Sequence, residues 1–364
     1  MKVLVWQWGR RGAGPRFAAH LADGFDRLPG VSALLSLSTG AELLLGPDPP
    51  RCDLPVRTYS GTLGLIRRML GAPVLIAGLA AQLRAAAPDI AICAMPGPLD
   101  LLCLAALRRV GVPSAIIVHD ADAHPGDGFP LLMTLQRRLI RRADAVVALS
   151  SHVADRLRTQ RLIRNDAELI VATHPPYDFG AVPAPFAHGG SRRLLAFGRL
   201  LPYKGLDLLD EALTLLGPRP NLELRVVGSG PDSAALRALR VRPGVSVENR
   251  WVAEQEIGGL LAWADALVLP YREASQSGVA AAALATGREV IATRVGGLAE
   301  QLDAEPLARL CDPDAVHLSE ALRAWLEAPA PSPALPSDPV AAWNVLARRL
   351  LDELRAVRRP GKRA

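Results

Sequence analysis

The chain has 364 residues, half of them apolar, 21% charged and only 4% aromatic, with a formal net charge of +6. That balance excludes disorder over most of the length, and the length suits two domains that each bury a core. No apolar run reaches the roughly 18 residues that span a bilayer, and the opening MKVLVWQWGRRGAG lacks a signal-peptide core, so the expected place is the cytosol or a membrane surface facing it.

KVLVWQW is apolar throughout, which predicts a strand buried on both faces. The small-residue turn Gly12, Ala13, Gly14 then leads into the helical pattern PRFAAHLADGFDRL. Such a turn lets a phosphate or sugar approach the backbone, and a tight strand-to-helix connection needs the same residues. Arg10, Arg11 and Arg16 surround it and are candidates to face a phosphate. The stretch LGLIRRMLGAPVLIAGLAAQL follows, apolar with an arginine pair, and then come the strand DIAICAM, the helix LLCLAALRRVG and the strand PSAIIVHD.

His119 ends that last strand, so its imidazole is expected to reach the carboxyl end of the sheet, where it can exchange hydrogen bonds or a proton near neutral pH. His124 lies in the Pro-Gly-flanked turn that follows. Asp120 and Asp122 form a DxD, read here as a chance match and not a metal site. LQRRLIRRAD carries Arg137, Arg138, Arg141 and Arg142 at helical spacing, either as an interfacial helix meeting anionic lipid or as the solvated face of a packed helix. The series closes with DAVVALS, SHVADRLR and LIVATH.

Pro, Gly and Ala replace the periodic pattern between Pro175 and Arg193, which marks a linker. A second alternation follows, with strands RLLAFG, LELRVVG, VSVEN, ALVLPY and EVIAT and helices LDLLDEALTLLG, DSAALRALR and VAAAALATG. The Pro-rich EAPAPSPALPSDP separates it from a final helix around AAWNVLARRLLDELRAVRR and a basic tail. Two such alternations predict an α/β protein of two doubly wound parallel-sheet domains, over residues 1–178 and 190–330, with a helix at 338–358. Ligands of such sheets bind beyond the carboxyl ends of the strands. Cys52, Cys93, Cys103 and Cys311 have no CxxC spacing and read as buried small apolar residues.

Arg199 and Lys204 sit in the loop after RLLAFG, where two cations can converge on an anion held at a helix N-terminus. In LPYREASQSGV the backbone amides of Gln276, Ser277 and Gly278 open the next helix and offer a second anion site. Two anion sites at strand ends of one domain suit a diphosphate. Asp312 and Asp314 in CDPDA read as turn residues before a helix, and His20 and His152 as surface or interdomain residues.

FGRLLPYKGLDLL, LELRVVGSGP, NRWVAEQEIGGLLAWADALVLPY and SQSGVAAAALATGREVIATRVGGLAEQL together resemble the GT-B retaining glycosyltransferases of family four, also called glycosyl transferases group 1. In the first half, GAGPRFAAHLADGF resembles the family's glycine-rich turn, with Ala13 in place of a second glycine. HDADAHPGD is similar to relatives that build bacterial surface polysaccharides, and Trp343 fits the closing helix that returns to the first domain. The resemblance implies two Rossmann-like domains facing a cleft, with donor binding in the second and acceptor binding in the first.

The implied reaction moves a sugar, with retention, from a nucleotide-diphosphate sugar to a glycan or polyprenyl-linked acceptor, without metal or other cofactor. His119, Arg199 and Lys204 are the implied catalytic residues. Donor contacts fall to Gly12, Ala13, Gly198, Arg199, Lys204, Gly228, Arg250, Trp251, Glu273, Ser275, Gln276, Ser277, Gly278 and Val279, and acceptor contacts to Arg16, Asp120 and His124. One departure stands out: the family's glutamate pair, aligned on Gly287, falls on Ala274 and Ala282, with Glu273 one place from the first. The alternatives are an epimerase of nucleotide sugars on the same fold and a non-catalytic relative acting as a binding partner. An anionic membrane surface is a further expected partner, whereas the few aromatics form no stacking series for nucleic acid.

Overall fold

The computed structural model describes residues 1–126, 130–177, 190–329, 338–355 and 357. The chain divides into two compact units, one formed by Met1–Asp122, Phe129–Thr173 and Val340–Ala364, the other by Ala123–Gly128 and His174–Pro339. The linker expected between Pro175 and Arg193 and the Pro-rich stretch near 330–337 lie largely outside the described residues.

The first unit is a six-stranded parallel sheet, with strands β1 (Lys2–Gln7), β2 (Ser32–Leu37), β3 (Ile90–Cys93), β4 (Ser114–Val118), β5 (Ala145–Ala148) and β6 (Glu168–Val171). Their spatial order is β2-β1-β3-β4-β5-β6, so the order reverses between β1 and β3. The four central strands are almost wholly buried, as expected of apolar strands covered by helices on both faces. Strand β2 was not expected. Its serines interrupt the apolar run because it is an edge strand with an exposed start.

Helices α1 (Ala13–Asp26), α2 (Gly61–Leu70), α3 (Ala72–Ala86), α4 (Asp100–Val110), α5 (Pro130–Ile140) and α6 (Ser151–Thr159) connect these strands. In α5, Leu139 and Ile140 are buried while Arg138 and the following Arg141 and Arg142 are exposed, the arrangement of a packed helix with a solvated face.

The second unit holds β7 (Arg192–Arg199), β8 (Leu222–Ser229), β9 (Val245–Asn249), β10 (Ala266–Leu269), β11 (Glu289–Thr293) and β12 (Ala308–Cys311). The order is β12-β11-β10-β7-β8-β9, all parallel, and it reverses between β7 and β10. Helices α7 (Leu206–Leu216), α8 (Ala234–Arg240), α9 (Glu254–Trp263), α10 (Gly278–Ala285), α11 (Gly296–Leu302) and α12 (Ala315–Glu327) alternate with them. Strand β12 was also unexpected, being a four-residue, half-buried edge. Asp314 caps α12 by accepting from the amides of Val316 and His317. Of the cysteines only Cys93 and Cys103 are buried. Cys52 and Cys311, expected to be buried too, are half-buried, lying in a surface loop and an edge strand.

The last helix, α13 (Pro339–Leu354), packs with the first unit. Trp343, Leu346, Ala347, Leu350 and Leu354 fall at three- and four-residue spacing and are buried on one stripe. The Trp343 ring stands edge-on to Phe17 of α1 at 4.8 Å, and a Cβ on Gly24 would meet the Trp343 carbonyl at 2.8 Å. The missing side chain at Gly24 is what lets the two helices touch.

Removing the indole leaves a cavity between them. Trp343→Ala is expected to destabilise the protein by about 3–5 kcal/mol in urea unfolding; a loss below about 1 kcal/mol would show that α13 is only loosely attached.

Candidate functional site

In an open parallel sheet the loops on either side of the order reversal diverge and leave a crevice. In the second unit those loops follow β7 and β10. Gly205, at φ +65°, lies so close to Pro270 that a Cβ would stand 1.8 Å from its carbonyl oxygen. Only glycine admits that approach, and it pins the two loops together. At the mouth, Gly198 and Val279 face each other, a Cβ on the glycine meeting Cγ2 at 3.4 Å.

Both candidate cations gather around Tyr203, a buried residue that sequence reasoning missed. Arg199 donates from Nη2 to the Tyr203 hydroxyl at 2.7 Å, with its Cζ 5.6 Å from the ring centre. The Lys204 ammonium lies 4.9 Å from the same ring centre and 3.6 Å from that of Tyr271. Aromatic faces attract cations, so the two tyrosines help hold both charges beside one another. The signal was in the sequence: LPYK and LPYR recur after the two strands that flank the reversal.

His124 stacks on Tyr203 with ring centres 4.3 Å apart, and its Nδ1 lies 3.0 Å from Oε1 of Glu273. Expected among acceptor contacts of the first domain, His124 is grouped with the second unit, where it touches Tyr203 and Glu273. A cavity of about 410 Å³ adjoins the cluster, bordered by Tyr203, Leu201, Pro125 and the Arg272–Asp207 ion pair.

The N-terminus of α10 corrects one expectation. The Ser277 amide is not open to a ligand, because it donates to Oε1 of Gln301 at 2.8 Å while Gln301 Nε2 donates back to the Ser277 carbonyl at 3.1 Å. The Ser277 hydroxyl caps the helix by accepting from Ala280. The first-turn amides of Gly278 and Val279 have no acceptor within the helix. Tyr177 packs on Gly278, its Cε2 3.3 Å from where a Cβ would lie. Ser275 is buried, and Gln276 Oε1 is buried with no hydrogen-bond partner among the described residues. Ala274 and Ala282 are buried, which leaves Glu273 as the acidic side chain of the segment, bonded to His124.

Gly228 lets β8 run against β7, since a Cβ there would stand 1.7 Å from the Gly198 carbonyl oxygen. Beyond β9, the Arg250 guanidinium is bound by Glu248 at 3.0 Å and by Glu256 at 2.8 Å, so two carboxylates already neutralise it. Trp251 beside it is 45% exposed.

In the first unit, Gly12 takes φ +82° as α1 begins at Ala13, with both residues exposed and Arg16 half-buried. His119 does not reach outward. Its ring is 6% exposed and edge-on to Phe17, and its Nε2 donates to the Ala94 carbonyl at 2.8 Å. Burial lowers its pKa, so the ring stays neutral with Nε2 carrying the proton. Asp120 accepts from Gln136 through its backbone carbonyl, while the Asp122 carboxylate is occupied by Arg156 at 2.8 Å and Gln160 at 2.8 Å.

The carboxylate of Asp100 was overlooked. It opens α4 beside the reversal between β1 and β3 and accepts from Trp6 Nε1, Cys93 Sγ and the Gly97 amide at 3.2, 3.4 and 2.6 Å. Burial lifts its pKa to about 6.

Comparison with known proteins agrees with this geometry. Residues 11–175 match the glycosyl transferase 4-like domain and residues 191–328 match glycosyl transferases group 1. The chain belongs to the group 1 glycosyltransferase family. The D-inositol 3-phosphate glycosyltransferase of Streptomyces coelicolor is 30% identical over 198 residues, 45% of this chain and 43% of that protein. The GDP-mannose:glycolipid 4-beta-D-mannosyltransferase of Xanthomonas campestris pv. campestris is 28% identical over 218 residues, 52% of this chain and 53% of that protein. The chain thus matches about half the length of these curated relatives.

Among solved structures, Anabaena Alr3699/HepE in complex with UDP and glucose superposes with a TM-score of 0.67 at 17% identity, covering 98% of this chain and 100% of that one. The lipopolysaccharide outer core galactosyltransferase WaaB gives 0.63 at 16%, covering 98% and 99%. Both place this chain in the GT-B fold, as the sequence motifs implied.

Asp100 makes the stability of the protein depend on pH. Its raised pKa means the folded state keeps a proton that the unfolded state loses above pH 3.8, so the stabilisation is complete below about pH 4 and is lost as pH rises through 6. Between pH 4 and 7, the stability of the native chain relative to Asp100→Asn should fall by about 2–3 kcal/mol in urea unfolding. A difference that stays flat or rises across that range would contradict the assignment.

Proposed function

We propose that this protein transfers a glycosyl group from a nucleoside-diphosphate sugar to a hydroxyl of a glycan or lipid-linked acceptor in the synthesis of a surface polysaccharide, with retention at the anomeric carbon and without a metal ion. One observation carries the proposal: Arg199 and Lys204, held on Tyr203 and Tyr271, meet the start of α10 at the order reversal of the second sheet.

A diphosphate bound there receives charge-assisted hydrogen bonds from a guanidinium and an ammonium, and its remaining oxygens can face the amides of Gly278 and Val279. In the reaction the bond between the anomeric carbon and the phosphate oxygen breaks while the acceptor oxygen bonds to that carbon from the same face. The acceptor proton passes to the departing diphosphate. Negative charge therefore grows on the phosphate as the sugar leaves, where both cations stand ready before the reaction begins.

Several details support the finer assignment. Two side-chain cations can take the role that a divalent ion has elsewhere, and the Asp122 carboxylate is already engaged by Arg156 and Gln160. Gln276 Oε1, buried and without a partner among the described residues, offers the ribose an acceptor where Ala282 has none. Trp251, exposed at the end of β9, offers an apolar face to a base. The printed names of the relatives, which include GDP-mannose and a glycolipid, and the UDP and glucose bound in Anabaena Alr3699/HepE agree with such substrates.

The test is release of nucleoside diphosphate from a panel of nucleotide sugars, with saccharide and polyprenyl-linked acceptors, in the presence of a chelator. Lys204→Ala should lower kcat by about a hundredfold or more while the melting temperature holds. Near-normal turnover in that variant would remove Lys204 from the site.

A further inference from the structure

Between Asp53 and Asp89 the chain carries Arg57, Arg67, Arg68 and Arg84 and no acidic residue. Helices α2 and α3 lie in this stretch and meet at an elbow bent by 76°, where Gly71 ends the first and Pro73 opens the second. Their inner side is anchored. Leu65, Leu75 and Ile76 pack on the core of the first unit, and Leu79, Ala80 and Leu83 are buried in it.

The outer side is the unusual one. Leu63, Ile66, Leu70 and Val74 are 62%, 51%, 79% and 79% exposed, with Met69 at 44%. Leu63, Ile66 and Leu70 recur at three- and four-residue spacing, which puts them on one stripe of α2. Beside the elbow a cavity of about 540 Å³ is bordered by Arg57, Arg67 and Arg68 and floored by Val74, Leu75 and Leu79. Arg68 is fixed there by donating to the Thr58 carbonyl at 2.8 Å.

We propose that this elbow is where the protein binds an anionic lipid surface. Leu63, Ile66, Leu70 and Val74 enter the boundary between headgroups and acyl chains, and the arginines at the cavity rim take lipid phosphates. An apolar stripe flanked by arginines is what such an interface selects, since apolar burial and attraction to negative headgroups act together. The elbow lies on the bilayer and does not cross it: α2 has ten residues, about half of what a span needs, and α3 is buried along its inner face.

Charge also decides against a second copy of the chain as the occupant. A two-fold contact would set the same arginines against themselves with no acid to meet them. This inference is independent of the sugar-transfer proposal, because vesicle binding needs no turnover.

The experiment is co-sedimentation of the full chain with vesicles of phosphatidylglycerol mixed with phosphatidylcholine, against phosphatidylcholine alone. Preferential binding to the anionic vesicles is expected, weakened by salt, and reduced about tenfold or more in Ile66→Asp/Leu70→Asp and in Arg57→Gln/Arg67→Gln. These side chains are exposed, so both variants should keep the native melting temperature. Absence of vesicle binding, or equal binding by folded variants, would overturn the proposal. So would a dimer in sedimentation velocity that Ile66→Asp/Leu70→Asp dissolves without any vesicle binding, since the occupant would then be a second copy.

Discussion

The proposed diphosphate site in the second unit depends on holding two cations side by side. Arg199 and Lys204 repel one another, and the aromatic faces of Tyr203 and Tyr271, with one phenol oxygen, attract both while adding no net charge. Arg250 in the same unit is bound by two glutamates. The glycine at 205 matters for the same reason, because it brings the loop of Tyr203 against Pro270, next to Tyr271.

The second sheet supplies the rest by topology. Its strand order diverges between β7 and β10, so the loop of Arg199 and Lys204 and the loop leading to α10 leave the sheet on either side of one crevice. Gln301 then fixes the start of α10 through the backbone N–H and C=O of Ser277. That clamp takes the Ser277 amide out of the expected anion site. The first unit is built on the same plan but turns its polar groups inward, with His119 on the Ala94 carbonyl and Asp100 among Trp6, Cys93 and Gly97.

Much of this was legible in the sequence for a simple reason. Apolar strands between helices specify a parallel sheet covered on both faces, and strand ends mark where chemistry can sit, which is what directs attention to Arg199, Lys204 and the SQSGV turn. The edge strands β2 and β12 were missed because half-exposed strands lose the continuous apolar run that identifies central ones. Gln301 was missed because it lies 24 residues from the serine it holds, with no local pattern linking them. His119 could be placed at a strand end, but whether its ring faces outward depends on Phe17, a contact that no spacing reveals. The exposure at Ile66 and Leu70 likewise needed the fold, since the same pattern suits a helix buried on all sides.

The central claim is that the second unit holds a preorganised diphosphate site. It is tested most directly by calorimetric titration with a nucleoside, its monophosphate and its diphosphate, in native protein and in Arg199→Ala. The account predicts that affinity rises stepwise with each phosphate, by about tenfold or more from nucleoside to diphosphate, and that the rise collapses in the variant. Equal affinity for all three ligands, or a phosphate-dependent rise that survives in Arg199→Ala, would contradict it.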